Sequence, residues 1–281
     1  MATLGCTLAL ALPLLAGCKD QGKISAQRAA ESGAALAKLA ESDVAEVERG
    51  LPEGAKRLAP LFAKNADLTQ DVGVVRTALG KTRREVPDLA VAKTTFLALT
   101  DGSGVAIRNN LEEDVMAGKN LVTLFPELAK VQAGSFIVTT GAFPGQTIKE
   151  QDRDWIAAAP VKSDDGKVVG LFVTGWTYRR LAYRLHESLK HDLEEQMKKD
   201  GDTTKLPIFY VAVFDKTGVY SPPQTPTVNE KALTDADLVG KTTAGPAQGV
   251  LDITERAFGY GAVRVPKLGP EAGVVVLRSE L

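Results

Sequence analysis

Residues 96–108 read FLALTDGSGVAIR, and residues 210–221 read YVAVFDKTGVYS. In each stretch an apolar run leads to an Asp, a short turn containing Gly follows, and a second apolar run resumes, which predicts a β-hairpin. Because this pattern occurs once in each half of the chain, the sequence predicts an internal structural repeat.

Further strand candidates follow both hairpins. They lie at residues 135–142, 155–162 and 168–175 in the first half, and at residues 250–254, 260–265 and 274–278 in the second. Each half therefore supplies five strands, enough for an antiparallel sheet with helices on one face. We predict an α+β fold of two modules, each built on a sheet of about five strands and preceded by a long N-terminal helix.

Two long helices are predicted from apolar residues at helical spacing. Residues 25–49 form the first, with Gly50 as its stop signal, and residues 177–199 form the second. Shorter helical pieces are expected between them, over residues 52–85. The expected organisation is a helix and first module over residues 25–178, a connecting helix over 179–206, and a second module over 207–281. One double unit and two tandem modules both remain open, and the long connecting helix favours the tandem arrangement.

The N-terminus predicts export and lipidation. Residues 4–17 form an uncharged apolar run, shorter than the roughly 20 residues of a membrane-spanning helix and typical of a secretory signal. Leu15-Ala16-Gly17-Cys18 follows, which resembles the lipobox of bacterial lipoproteins. The resemblance implies a signal peptide over residues 1–17, a lipid on Cys18, and a tether over 18–24. The alternative is an ordinary signal peptide with a chance Cys at the cleavage site.

This interpretation also sets the expected location and chemistry. Cys6 leaves with the signal peptide, so the mature chain keeps no free thiol. We expect a protein of the cell envelope, lipid-anchored on the periplasmic side, with Lys19 after the cysteine favouring the outer membrane over the inner. The chain ends soon after its last predicted strand, so we expect a signal to pass through a separate partner protein.

Composition and motifs argue against several function classes. The formal net charge is −1, which gives no electrostatic reason to expect nucleic acid as a partner. His186 and His191 stand five apart, whereas metal ligands on one helix face stand three or four apart. No sequence motif of a nucleophile elbow, a phosphate-binding loop or a zinc site is present. We therefore expect no enzymatic activity, no cofactor and no metal.

The order of motifs resembles the Cache family of extracellular sensor domains. The features are the long N-terminal helix, the strand-Asp101-x-x-Gly104-strand hairpin, the Gly118-Lys119-Asn120 step, and the hairpin from Ala159 to Gly170. The resemblance implies a PAS-like fold and a small-molecule pocket between the sheet and the loops and helix over it. It therefore implies a sensor that binds a small ligand, such as a carboxylate or an amine.

Candidate ligand-binding residues follow from this resemblance. Amino-acid-binding members of the family carry Arg-x-Trp-Tyr-x-x-Ala, and Arg153, Trp155 and Ala159 match that pattern, whereas Ile156 replaces its Tyr. A guanidinium binds a carboxylate through two hydrogen bonds, and an indole supplies a flat apolar wall. The complete candidate set is Arg153, Trp155, Asp152, Arg108, Thr139 and Tyr178.

Two further alternatives remain open at this stage. Trp155, Ala157, Ala159 and Val161 share one strand face, and the small residues there leave room either for a ligand pocket or for a packed helix. Asp152 and Asp154 could bind a cationic ligand, although solvation is the more ordinary state of such residues. A structural envelope lipoprotein that docks a protein partner is the alternative function, and a homodimer through the helices is possible.

Overall fold

The computed structural model describes residues 14–65, 67–143, 152–201 and 205–280; the side chains of residues 14–20 are not described. The expected signal peptide at residues 1–17 therefore lies largely outside the described residues, as does the side chain of Cys18. Within the described part of the chain, no helix combines the length and the apolar character needed to cross a membrane.

Among the described residues, ten strands form two antiparallel sheets of five. The first sheet contains β1 Phe96–Thr100, β2 Ala106–Asn109, β3 Ile137–Gly141, β4 Asp154–Lys162 and β5 Val168–Thr177, in the order β2-β1-β5-β4-β3. The second contains β6 Ile208–Asp215, β7 Gly218–Tyr220, β8 Ala247–Ile253, β9 Arg256–Arg264 and β10 Gly273–Ser279, in the order β7-β6-β10-β9-β8. Because the two orders are equivalent, the predicted internal repeat is confirmed, and so is the α+β class.

Long and short helices accompany the sheets. The helices before the first sheet are α1 Leu14–Lys64, α2 Val72–Glu85 and α3 Pro87–Val91. The short α4 Leu121–Leu124 and α5 Ala129–Gln132 follow β2, α6 Tyr178–Asp200 joins the modules, and α7 Thr227–Asp235 and α8 Leu238–Lys241 follow β7. Single 3₁₀ turns lie at Pro126–Leu128 and Pro266–Leu268.

Helix α1 packs against both sheets. Its N-terminal part lies on β8, β9 and β10, and its C-terminal part lies on β4 and β5. The close approach to the second sheet depends on β9, where Gly259 and Gly261 face Ala26 and Ala30. Since the modules share this helix as well as α6, the structure favours one double unit over two tandem modules.

Helix α1 is much longer than predicted at both ends. Residues 18–24, expected as a tether, are helical, and the helix continues past Gly50, which was wrongly predicted to end it. Gly50 instead allows close packing, because a Cβ there would lie 2.9 Å from Leu89 Cγ. Pro52 and Pro60 also lie inside the helix.

Each sheet has apolar residues on both faces. In the first sheet, Leu97, Trp155 and Phe172 belong to the core shared with α1, whereas Ile156 and Val173 belong to a second cluster covered by α4 and α5. The second sheet repeats this arrangement, with α7 and α8 over the face opposite α1. The structure therefore covers both faces of each sheet with helices, whereas the prediction placed helices on one face only.

Candidate functional site

Arg153 connects the two modules. Its Nε lies 2.6 Å from Oδ2 of Asp215, at the end of β6, and its Nη2 donates a hydrogen bond of 2.9 Å to Thr140 Oγ1 on β3. The side chain of Asp215 is 7% exposed, so water screens this ion pair only weakly. The predicted ligand-binding guanidinium thus holds a carboxylate of the protein itself.

Trp155, on β4 two residues after Arg153, lies in the interior. The side chain is fully buried and stacks on Trp176, with the ring centroids 4.3 Å apart and an interplanar angle of 8°. Its Nε1 donates a hydrogen bond of 3.0 Å to the carbonyl oxygen of Lys267 in the second module. Of the two alternatives for this strand face, the structure supports the packed helix, because Trp155, Ala157 and Ala159 share the core with α1.

Tyr178 and Asp152 complete the same group of contacts. The Tyr178 hydroxyl donates a 2.8 Å hydrogen bond to the carbonyl oxygen of Leu268, and burial raises the pKa of that hydroxyl. Asp152 Oδ1 accepts hydrogen bonds from the backbone amides of Arg153, at 2.8 Å, and Arg179, at 3.3 Å. We call the cluster of Arg153, Trp155, Asp152, Tyr178 and Asp215 the module junction.

The other two candidates lie elsewhere. Arg108 is on β2, 3.4 Å from the Asp114 carboxylate, and donates to the carbonyl oxygens of Leu111 and Glu112. Thr139 is on β3 opposite Ile156, and so on the sheet face away from α1. Because β2 and β3 are the two edges of the sheet, the structure does not bring Arg108 and Thr139 together. A ligand-binding role for the six candidates stays a prediction.

Asp154 differs most from its expected state. It was expected to be solvated, yet it is 3% exposed and lies on the face that carries Ile156 and Ala158. Burial raises the pKa of its carboxyl from 3.8 to about 6, although Oδ2 accepts a 2.8 Å hydrogen bond from the backbone amide of Phe143. The expectation was wrong because β4 begins at Asp154, one residue before the predicted strand.

A cleft that the sequence did not predict lies between α1, α6 and the segment joining α3 to β1. Its volume is about 460 Å³, within the usual range for small-molecule sites. Asp43 on α1 and Arg184 on α6 form an ion pair of 2.7 Å at its base, and burial raises the pKa of Asp43 to about 6 despite this guanidinium. We call this feature the helical cleft.

No protein-family model and no curated protein matches the sequence. Solved structures do share its fold. A domain of a sensory box/GGDEF family protein from Vibrio parahaemolyticus superposes with a TM-score of 0.60 at 9% identity, covering 92% of this chain and 97% of that one. The extracellular domain of a protein assigned as a histidine kinase gives a TM-score of 0.53 at 13% identity, covering 95% and 96%.

A third similar structure is the ligand-binding domain of an amino-acid chemoreceptor from Pseudomonas aeruginosa PAO1, solved in complex with GABA. It gives a TM-score of 0.50 at 18% identity, covering 89% of this chain and 97% of that one. These comparisons confirm the predicted Cache-like, PAS-like fold of extracellular sensor domains. At such identities the likeness concerns the fold alone.

Proposed function

We propose that this protein is an extracytoplasmic sensor that binds a small molecule and does not catalyse a reaction. The observation that carries the proposal is the architecture: two equivalent five-stranded sheets share one long helix, as in a fold used by extracellular ligand-binding domains. The module junction supports a sensing role, because ligand binding in one module is transmitted to the other only if the two are in firm contact.

A ligand screen on the full chain tests this proposal. Thermal unfolding is measured with amino acids, carboxylates, amines including GABA, and purines. A ligand at 100 times its Kd stabilises the folded state by about 2.7 kcal/mol, so the unfolding temperature is expected to rise for at least one class. If no compound raises that temperature, the sensor proposal fails and a structural, protein-docking role replaces it.

We further propose that a lipid on Cys18 anchors the protein to the periplasmic side of a membrane, with the outer membrane favoured. Each buried CH₂ of an acyl chain contributes about 0.8 kcal/mol to membrane binding. Cys18→Ser is therefore expected to move the protein from the membrane fraction to the soluble fraction. Cys6→Ser is the matched control and is expected to stay in the membrane fraction. Retention of the Cys18→Ser variant in the membrane would contradict lipidation at this residue.

The proposed sensor acts through a separate signalling or envelope protein. A ligand shifts that partner's binding only if it has different affinities for two states of the sensor. The contacts available to such a change join the modules: Arg153 to Asp215, Trp155 to Lys267, and Tyr178 to Leu268.

A further inference from the structure

The helical cleft lies on the α1 side of the first sheet, away from Asp154. Its lining comes from separate segments of the chain: α1 contributes Asp43, α2 contributes Arg83, the α3–β1 segment contributes Lys93, and α6 contributes Arg180 and Arg184. Trp176, at the end of β5, lines it as well. A ligand in this position would therefore contact the shared helix, the helix that joins the modules, and a central strand of the first sheet.

Buried polar atoms without partners distinguish this cleft from an ordinary surface groove. Trp176 is 2% exposed, and its Nε1 has no hydrogen-bond partner among the described residues. The same holds for Oδ2 of Asp43, which is 1% exposed, and for Nε of Arg184. These atoms have almost no accessible surface, so a molecule in the cleft reaches them only if the side chains shift slightly. An unsatisfied buried polar group is costly, so pairing two donors and one acceptor at one site would favour such a shift.

The charges around the cleft indicate the sign of the ligand. Four basic side chains and two acidic ones line it, namely Arg83, Lys93, Arg180, Arg184, Asp43 and Glu187. Arg184 is paired with Asp43, and Arg83 donates to the carbonyl oxygens of Ala92 and Thr94. Lys93 and Arg180 are exposed at the rim and form no ion pair with any described residue. The Arg180 guanidinium lies over the Tyr183 ring, 5.7 Å from its centroid, and the charge of Lys93 lowers the pKa of Asp43. Neither positive charge is neutralised by a direct carboxylate contact, so both can attract an anion.

We propose that the helical cleft binds a small organic carboxylate that also carries a hydroxyl group. The carboxylate would bind Lys93 and Arg180 and accept hydrogen bonds from the unpaired donors of Trp176 and Arg184. The hydroxyl group would donate to Oδ2 of Asp43. The proposal deepens the sensor function and rests on it, since it names a site and a ligand class for the same protein.

Calorimetric titration of the full chain with two matched pairs of compounds tests this site. L-malate and citrate carry the hydroxyl group, whereas succinate and tricarballylate are the same acids without it. Binding of L-malate or citrate is expected, with the Kd of the matching deoxy acid about ten-fold higher or more, because it leaves Asp43 Oδ2 unpaired. Equal affinity within each pair, or no binding of any of the four at millimolar concentration, would overturn the proposal.

Charge variants locate the binding. Lys93→Gln changes an exposed residue and is expected to raise the Kd about ten-fold through the loss of a charged hydrogen bond. Lys231→Gln, on α7 in the second module with a side chain 71% exposed, is the matched control and is expected to leave the Kd unchanged. An unchanged Kd in Lys93→Gln would place the ligand elsewhere and refute the cleft.

The two proposals fail in distinguishable ways. If an amine or amino acid stabilises the protein equally in the wild type and in Lys93→Gln, while the hydroxy acids do not bind, the sensor function stands and the cleft proposal is refuted. If no compound in either experiment binds, both are refuted.

Discussion

Replacing Gly261 with Ala is expected to lower the free energy of unfolding by about 3 kcal/mol or more. A Cβ at this position would lie 2.3 Å from the Cα of Ala30, and one at Gly259 would lie 2.0 Å from the backbone nitrogen of Ala26. These are backbone atoms of α1, so no side chain can rotate away and the helix must separate from β9. Because α1 also packs on the first sheet, such a shift would weaken both modules. Urea unfolding of the full chain measures the loss.

Gly80→Ala is the matched control, since it makes the same chemical change on a helix. The nearest atom to a Cβ at Gly80 is Nη1 of Arg84 at 3.6 Å, an ordinary contact with a flexible side chain. Ala is favoured over Gly inside a helix by up to about 1 kcal/mol, so this variant is expected to be slightly more stable than the wild type. If Gly261→Ala has the stability of the wild type, α1 does not lie against β9 as the structure shows.

The strands were predictable because their signals are local. Apolar runs mark the strands, turns such as Asp101–Gly104 and Asp215–Gly218 separate several of them, and the hairpins at residues 96–108 and 210–221 indicate the repeat. The length of α1 was not predictable, because Gly50 and Pro52 are ordinary stop signals. The reason that the helix continues is tertiary: Leu89 packs against Gly50, and a Cβ at Gly54 would lie 2.6 Å from the ring of Phe172.

The candidate site was predictable only in part, for a related reason. Strand alternation correctly placed Trp155, Ala157 and Ala159 on one face, but it does not indicate which face α1 covers. The partner of Arg153 is Asp215, in the other half of the chain, and no local pattern connects them. The helical cleft was missed because its residues come from distant segments, each of which resembles an ordinary helix surface.

Asp154→Asn is expected to stabilise the protein at pH 7 and to have little effect at pH 4. In the folded state burial raises the pKa of Asp154 from 3.8 to about 6, whereas the unfolded chain keeps the ordinary value. The folded state therefore binds more protons between pH 4 and 6, and this carboxyl lowers stability as the pH rises through that window. Above pH 6, the buried charge of Asp154 lowers the free energy of unfolding by about 2 to 3 kcal/mol. Asn keeps an oxygen that can accept from Phe143 and removes that cost.

Urea unfolding of both proteins at pH 4 and pH 7 measures the effect. Titrating groups that do not interact with residue 154 cancel in the difference between the two proteins, whereas the charge of Asp152, which also raises the pKa of Asp154, contributes to that difference. Asp165→Asn is the control of opposite sign, because hydrogen bonds from Ser163 and the Lys167 amide lower the pKa of Asp165. It is expected to destabilise the protein at pH 7 more than at low pH. If Asp154→Asn is instead less stable than the wild type at pH 7 and equal to it at pH 4, the folded protein favours the ionised carboxylate. Asp154 would then carry a stabilised negative charge beside the Phe143 amide, which would make that end of the first sheet the place to seek a cationic ligand.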